Sequence, residues 1–212
     1  MKICFVCLGN ICRSPTAEGI MQAKVDAAAA EGGGRSLEIE VDSAGTGGWH
    51  RGEPADERAR AEARSRGIEL TSRARQVHVG DFAYFDLLVA MDRADHADLL
   101  DLAPDPDAAA RVRLLLEFAS HTGTDRAEPA RPGQPTDLDH PGLDVPDPYY
   151  GGPTGFADVF DLIDDACDGL LAHVLLADPG RPTRSREPGT PDDPVPPATR
   201  PTSLEGQEAP ES

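Results

Sequence analysis

The chain has 212 residues and a formal net charge of −18. That length suits one ordinary domain with a sizeable core, and the acidity argues against nucleic acid or an anionic membrane surface as a partner. An anionic substrate must then be drawn in by a local site that opposes the field of the whole protein.

Residues 2–6 form a short apolar run that reads as a buried strand, followed by a Gly/Asn loop at 7–13. Ser14-Pro15 supplies a helix start, with Ser as N-cap and Pro at the first helical position. Ala17, Ile20, Met21, Val25 and Ala28 then recur at helical spacing, Lys24 at the edge of their face, until Gly32-Gly33-Gly34 stops the helix. Leu37, Ile39 and Val41 alternate as a second strand, and residues 43–49 read as a glycine-containing loop. Residues 54–66 predict a polar helix with a basic last turn and Gly67 beyond it. Residues 87–91 predict a third strand, 95–102 a helix, and 112–116 a fourth strand or short buried segment. Phe156, Val159, Phe160, Ile163, Cys167, Leu170, Leu171 and Val174 make a last amphipathic helix.

Strands alternating with helices predict an α/β fold with a parallel sheet covered on both faces. Residues 120–145, rich in Pro, Gly, Asp and Thr, are too long for an ordinary connection and read as a mobile loop or insertion. From 178 to 212 almost nothing is apolar, so that stretch is expected to be a disordered tail beyond a domain at 1–177. No internal repeat is visible.

Three of the four cysteines, Cys4, Cys7 and Cys12, crowd the first strand and its loop, and Cys167 lies in an apolar helix. This is unlike the spread framework of a secreted disulfide domain. Met1-Lys2 leads straight into the apolar run with no secretory signal, and no stretch approaches membrane-spanning length. A cytoplasmic protein is expected. The six histidines are scattered without metal-ligand spacing, so neither metal nor cofactor is expected. Gly45, Gly47 and Gly48 are not a dinucleotide fingerprint, since they follow the second strand. Acidic runs such as 101–107 read as solvated surface.

The segment Cys7-Leu8-Gly9-Asn10-Ile11-Cys12-Arg13-Ser14-Pro15 joins a buried strand to a helix start. A loop ending at a helix N-terminus offers unpaired amides and the positive end of the dipole to a dianion. Gly9 allows close backbone approach and unusual dihedrals, Asn10 tolerates the left-handed region and can brace the loop, and Arg13 can grip two phosphate oxygens with its planar fork. Cys7 sits where those groups favour thiolate over thiol. A thiolate at the base of an anion cradle is a nucleophile aimed at phosphorus, and the amides with Arg13 stabilise charge on the equatorial oxygens.

This segment resembles the phosphate-binding loop of the low-molecular-weight protein tyrosine phosphatases. Ser43-Ala44-Gly45-Thr46 is similar to that family's loop after its second strand, Asp56 and Arg58 to its second helix, Ala90-Met91-Asp92 to the end of its third strand, and Asp147-Pro148-Tyr149-Tyr150 to its general-acid loop. The resemblance covers residues 1–177, with an expanded loop before Pro146. It implies a flavodoxin-like three-layer fold with a four-stranded parallel sheet and the site at the carboxyl end of the first strand.

It further implies Cys7 as nucleophile, Arg13 as phosphate clamp and Asp147 as the acid that protonates the leaving phenol oxygen and later deprotonates water. Leu8, Gly9, Asn10, Ile11 and Cys12 would form the phosphate-binding loop, with Ser14, Ser43 and Asp92 supporting it. On its own, Asp147-Pro148 reads equally as an ordinary turn. Trp49, Tyr149 and Tyr150 would wall the pocket and favour a phenyl phosphate. Phosphotyrosine proteins are the implied partners, met by a monomer. Where the family often has His, this chain has Ser72, which can replace one hydrogen bond behind the loop but not the ring. Cys12, in the same loop as Cys7, is a candidate for a reversible disulfide with it under oxidant.

Three alternatives remain. Protein arginine phosphatases resemble this loop but carry Thr at the position of Ile11. Thioredoxin-coupled arsenate reductases need two further cysteines after the third strand, where 82–116 has none. A non-catalytic phosphate-binding module would not require Cys7, Arg13 and Asp147 together.

Overall fold

The computed structural model describes residues 1–31, 37–119, 142–150 and 155–177, all within the unit Met1–Pro179. Strand β1 (Lys2–Cys7) is central. It pairs in parallel with β2 (Glu40–Gly45) on one side and β3 (Leu87–Ala90) on the other, and β4 (Val112–Leu114) extends the sheet beyond β3. The helices are α1 (Arg13–Glu31), α2 (Glu57–Ser65), α3 (Asp81–Tyr84), α4 (Arg93–Leu102), α5 (Pro106–Ala109) and α6 (Gly155–Ala177), with 3-10 turns at Leu115–Phe118 and Pro148–Tyr150.

The two-residue period of a strand sorts side chains between the faces. Ile3, Phe5 and Cys7 of β1, with Leu87 and Val89 of β3, enter the core shared with α1, α2 and α6. Cys4, Val6, Leu88 and Ala90 enter the opposite core, with Phe82 and Leu99 from the α3 and α4 side. Ile3, Phe5, Ile20 and Met21 are fully buried, each such side chain contributing about 1.5–3 kcal/mol. The fold is the expected flavodoxin-like α/β sandwich. Because β2 and β3 flank β1 on opposite sides, the chain reverses direction across the sheet at the carboxyl end of β1, the position where open α/β sheets bind ligands.

Several boundaries differ from the sequence expectation. Strand β2 begins at Glu40, where its partner begins at Lys2. Leu37 and Ile39 pack against the core as a lead-in, turned by an Ile39 N–H to Leu37 carbonyl bond of 2.8 Å. Ser43, Ala44 and Gly45 therefore belong to β2 and not to a loop. Helix α2 starts at Glu57 because Pro54 is held in a bridge with Arg73 and Asp56 is the cap, accepting from Arg58 N. Helix α4 starts earlier than expected, since Asp92 caps it through Asp95 N. Ser14 is not the cap of α1; it lies inside the helix, buried. Residues 115–116 turn into 3-10 helix after β4. In the acidic run 101–107, Asp105 does more than meet solvent: it caps the short helix α5 through Ala108 N at 2.7 Å. The glycine stop at 32–34, residues 120–141 of the expanded loop and the tail from 178 lie outside the described residues.

Gly169 in α6 marks where that helix meets the 3-10 turn after β4. A methyl group there would lie 1.8 Å from the Phe118 carbonyl oxygen. Alanine favours a helix interior over glycine by about 1 kcal/mol, whereas overpacking against rigid backbone costs about 1–3 kcal/mol. The clash wins, because relieving it must separate two packed elements. Gly169→Ala is expected to lower the urea midpoint at unchanged slope. A midpoint equal to or above wild type would show that the turn yields without cost.

Candidate active site

Cys7 ends β1, and after five intervening residues the chain enters α1 at Arg13. Carbonyls of the intervening turn are drawn outward. Thr46 N binds Cys7 O at 3.0 Å, Gly47 N binds Leu8 O at 2.8 Å, Asp56 N binds Ile11 O at 2.7 Å, and Thr16 N binds Cys12 O at 3.3 Å. The Thr16 hydroxyl adds a second bond to Cys12 O at 2.8 Å. Since N–H and C=O of a peptide point oppositely, this turns the amide edge of the loop toward the pocket. Gly45, at the end of β2, makes the close approach possible: a Cβ there would sit 2.9 Å from Leu8 O.

The left-handed residue of the loop is Asn10, at φ 54. Gly9 does not take a positive φ, so the unusual dihedral expected of it falls to Asn10 instead. Gly9 leaves space for His50, whose Cδ2 would lie 3.3 Å from a Cβ at position 9. The Asn10 amide is buried and fully used. Nδ2 donates to Ser14 Oγ at 2.9 Å and Ser43 Oγ at 2.8 Å, and Oδ1 accepts from Arg75 N at 2.9 Å. Ser43 in turn donates to Glu18 Oε2 at 2.5 Å. Burial holds the Glu18 carboxyl above the usual range, against bonds from Ser43 and Ser72 that pull it down.

Cys7 Sγ lies 3.0 Å from Ser14 Oγ, which is also 3.2 Å from Ala44 O. Ser14 has one proton to give. Beside a thiol it serves Ala44 while accepting from Asn10 and the S–H; beside a thiolate it turns to sulfur. Cys12 is also buried, and that burial pushes its thiol up to about 12, with Asp56 and Cys7 adding to the effect.

Arg13 is 5% exposed. Its Nη1 donates to Asp92 Oδ2 at 2.5 Å and to Val145 O at 3.0 Å, and Nη2 lies 3.8 Å from Asp95 Oδ2. Burial works against the charge on Arg13, but Cys7, Asp92 and Asp95 together more than offset it and raise its pKa above the usual value. Nη1 being taken, the rest of the planar fork is left for an oxyanion.

A pocket of about 170 Å³ gathers Cys7, Arg13 and Asp147 with Leu8, Gly9, Ile11 and Cys12 of the loop. Trp49, 64% exposed, lines it with His50 and Tyr149. Asp147 is exposed, and its Oδ1 accepts from Tyr149 N at 3.0 Å. Of the expected rim, Trp49 and Tyr149 are therefore at the pocket, while the side chain of Tyr150 lies outside the described residues. Ser43 and Asp92 are supporting groups behind the loop and behind Arg13. Among the described residues no cluster of His, Cys, Asp and Glu is arranged to hold a metal ion.

Four residues escaped the sequence reading as parts of this site. Arg58 donates to Tyr149 O at 3.2 Å and stacks near the Tyr149 and Phe156 rings, tying the Asp147 turn to α2 and α6. Arg75 orients Asn10, and its side chain is pinned by Asp42 and Asp81. Glu18 was within reach, being four residues after Ser14 on one helix face. His50, held by Glu53 at 2.7 Å, adjoins Trp49 but carried no signal of its own.

The profile of the family described as low molecular weight phosphotyrosine protein phosphatase matches residues 2–178. A low molecular weight protein-tyrosine-phosphatase of Streptomyces coelicolor is 43% identical over 180 residues, which is 85% of this chain and 97% of that protein. A protein tyrosine phosphatase from Entamoeba histolytica, solved with Hepes in its active site, is similar at a TM-score of 0.67 and 36% identity, over 84% of this chain and 99% of that one. The solved Drosophila arginine phosphatase is similar at a TM-score of 0.65 and 28% identity, over 82% and 98%. The loop, the sheet order and these likenesses agree, and the chain belongs to the low molecular weight phosphotyrosine protein phosphatase family.

Proposed function

We propose that residues 1–177 form a catalytic domain that hydrolyses phosphotyrosine in proteins, and small aryl phosphates, through a phosphocysteine at Cys7. The observation that carries this reading is the convergence of Cys7, Arg13 and Asp147 on one pocket under the loop's amide edge. In the first step the Cys7 thiolate attacks phosphorus. An S–P bond forms, the P–O ester bond breaks, and Asp147 gives its proton to the departing phenol oxygen. Since Oδ1 of Asp147 accepts from Tyr149 N, that proton sits on Oδ2. In the second step Asp147 takes a proton from water, an O–P bond forms, the S–P bond breaks, and phosphate leaves with the thiolate restored. Ser14 turns its hydroxyl to the sulfur whenever it is anionic, which eases both attack and departure. The loop amides and the free edge of Arg13 hold the equatorial oxygens throughout.

Trp49 and Tyr149 give the phosphate cradle aromatic sides, which suit a phenyl phosphate better than the shorter phosphoserine. Ile11 lines the same pocket; an apolar group there favours an aryl ring over the polar guanidinium of phosphoarginine. Four free, buried cysteines accord with a reducing cytoplasm as the compartment, where the chain would act as a monomer, with 178–212 as a tail.

Turnover of p-nitrophenyl phosphate in EDTA, inhibited by vanadate, is the expected behaviour, with phosphotyrosine peptides cleaved in preference to phosphoarginine ones. Preference for phosphoarginine would reassign the substrate. Cys7→Ser is expected to abolish turnover while the pocket still binds phosphate. Asp147→Asn is expected to slow aryl phosphate hydrolysis by about two to four powers of ten; equal rates would identify another acid. Under peroxide, the Cys7 sulfenic acid is expected to condense with the Cys12 thiol, releasing water. Activity should then return with dithiothreitol, and a loss that dithiothreitol cannot reverse would exclude the disulfide.

A further inference from the structure

Behind Arg13, on the side away from the pocket, two carboxyl groups share one guanidinium. Asp92 has both oxygens engaged: Oδ2 takes Arg13 Nη1 at 2.5 Å, and Oδ1 takes Asp95 N at 2.8 Å. Asp95, in the first turn of α4, is 2% exposed. Its Oδ2 has no hydrogen-bond partner among the described residues and stands 3.8 Å from Arg13 Nη2, too far to bond. A buried charge in that position would be paired by distance alone, an expensive arrangement.

We infer that Asp95 is a positioning residue that tunes how strongly Arg13 holds an oxyanion, by keeping a proton against Asp92 or releasing it. The inference rests on the phosphatase reading of the pocket. With the proton in place, Arg13, Asp92 and Asp95 sum to zero charge, and Arg13 is held by Asp92 alone. With the proton gone, a second anion faces Nη2 and competes with the phosphoryl group for the same cation. Burial and the neighbouring Asp92 push the Asp95 carboxyl up to about 8, against the opposing pull of Arg13.

The other charges around it do not cancel the effect. Asp98 on α4 adds to the pressure on Asp95. Arg93 is committed to Asp144 at 2.7 Å. His96 faces Val112, Arg113 and Glu117. Cys7 lies across Arg13 in the pocket, and Asp147 is at the pocket mouth. Arg13 is thus the cation that both Asp95 and a bound oxyanion address.

The sign follows. A carboxyl held above its ordinary value is protonated at low pH, so oxyanion affinity is full below that midpoint and declines as pH rises through it. Linkage requires the reciprocal: a bound oxyanion makes Asp95 keep its proton to higher pH by the same factor.

Sulfate, a dianion across the whole range, is a suitable probe on the full chain, read by calorimetry from pH 6 to 9. Wild type is expected to lose about fivefold more affinity over that interval than Asp95→Asn, on the way to a limit of about tenfold at higher pH, because asparagine presents a permanent N–H to Asp92. The two proteins differ at this one position, so the comparison isolates the part of the pH dependence that requires an ionisable group at position 95. Parallel profiles would overturn the inference, and p-nitrophenyl phosphate turnover measured in the same samples shows whether the phosphatase reading stands or falls separately. In wild type, carbon-detected NMR of the Asp95 carboxyl tests the same point without a substitution. Its midpoint is expected to rise by about one pH unit on adding sulfate, the counterpart of the tenfold change. A midpoint in the ordinary carboxylate range, or one that sulfate does not move, would overturn it.

Discussion

The site depends on a single buried amide. Asn10 holds the turn after β1 in the left-handed region, which costs most non-glycine residues about 1 kcal/mol or more, and its side chain offsets that cost with three hydrogen bonds. Those bonds reach α1 through Ser14, β2 through Ser43 and the chain before α3 through Arg75. Three separate elements thus fix one peptide. Glycine would reach the same φ more easily but would brace nothing, which is why the freest residue of the loop, Gly9, is not the one that bends it.

An anion site in a chain of net charge −18 must be built from short-range terms, since the long-range field repels the ligand. The structure supplies them by orientation. Loop carbonyls are removed to the back by Thr46, Gly47, Asp56 and Thr16, and the one guanidinium that lines the pocket among the described residues is buried and anchored at one nitrogen. Burial makes the field of Arg13 felt at full strength in the pocket, and it also makes the number of carboxylates behind Arg13 matter. Asp92 is needed to fix the fork. Asp95 is a second acid in a place that tolerates one, and its proton resolves the conflict.

The parallel sheet and the loop chemistry were legible because each rests on local pattern: apolar runs alternating with helices, a strand–loop–helix junction and the residue types of an anion cradle. Boundaries failed where a distant partner decides them. Nothing near Pro54 says that Arg73 will pair with it, and the start of β2 is set by Lys2, not by the alternation of Leu37, Ile39 and Val41. Ser14 has the composition of a helix cap, yet tertiary demand from Cys7, Asn10 and Ala44 claims its hydroxyl. The contacts that bring Arg58 and Arg75 to the site were not legible for a related reason: an arginine in a polar stretch reads as surface, and only the fold brings Tyr149 or Asn10 beside it. The position of Asp147 near Cys7 was reachable only through resemblance, because no short-range rule links residues so far apart in the chain.

Ser72 shows how the network tolerates a change of chemistry at its far end. Every bond from Arg75 inward has a fixed direction. Arg75 N–H donates to Asn10 Oδ1, which orients the amide so that Nδ2 must donate to Ser43 and Ser14. Ser43, accepting there, gives its own proton to Glu18. Polarity is therefore set from the Arg75 end, and Glu18 needs only to accept. A serine at position 72 can donate one hydrogen bond to that carboxyl without reversing any bond nearer the loop. The orientation of the loop after β1 is thus protected from its periphery by the backbone N–H of Arg75, a group that no side-chain substitution short of proline can remove.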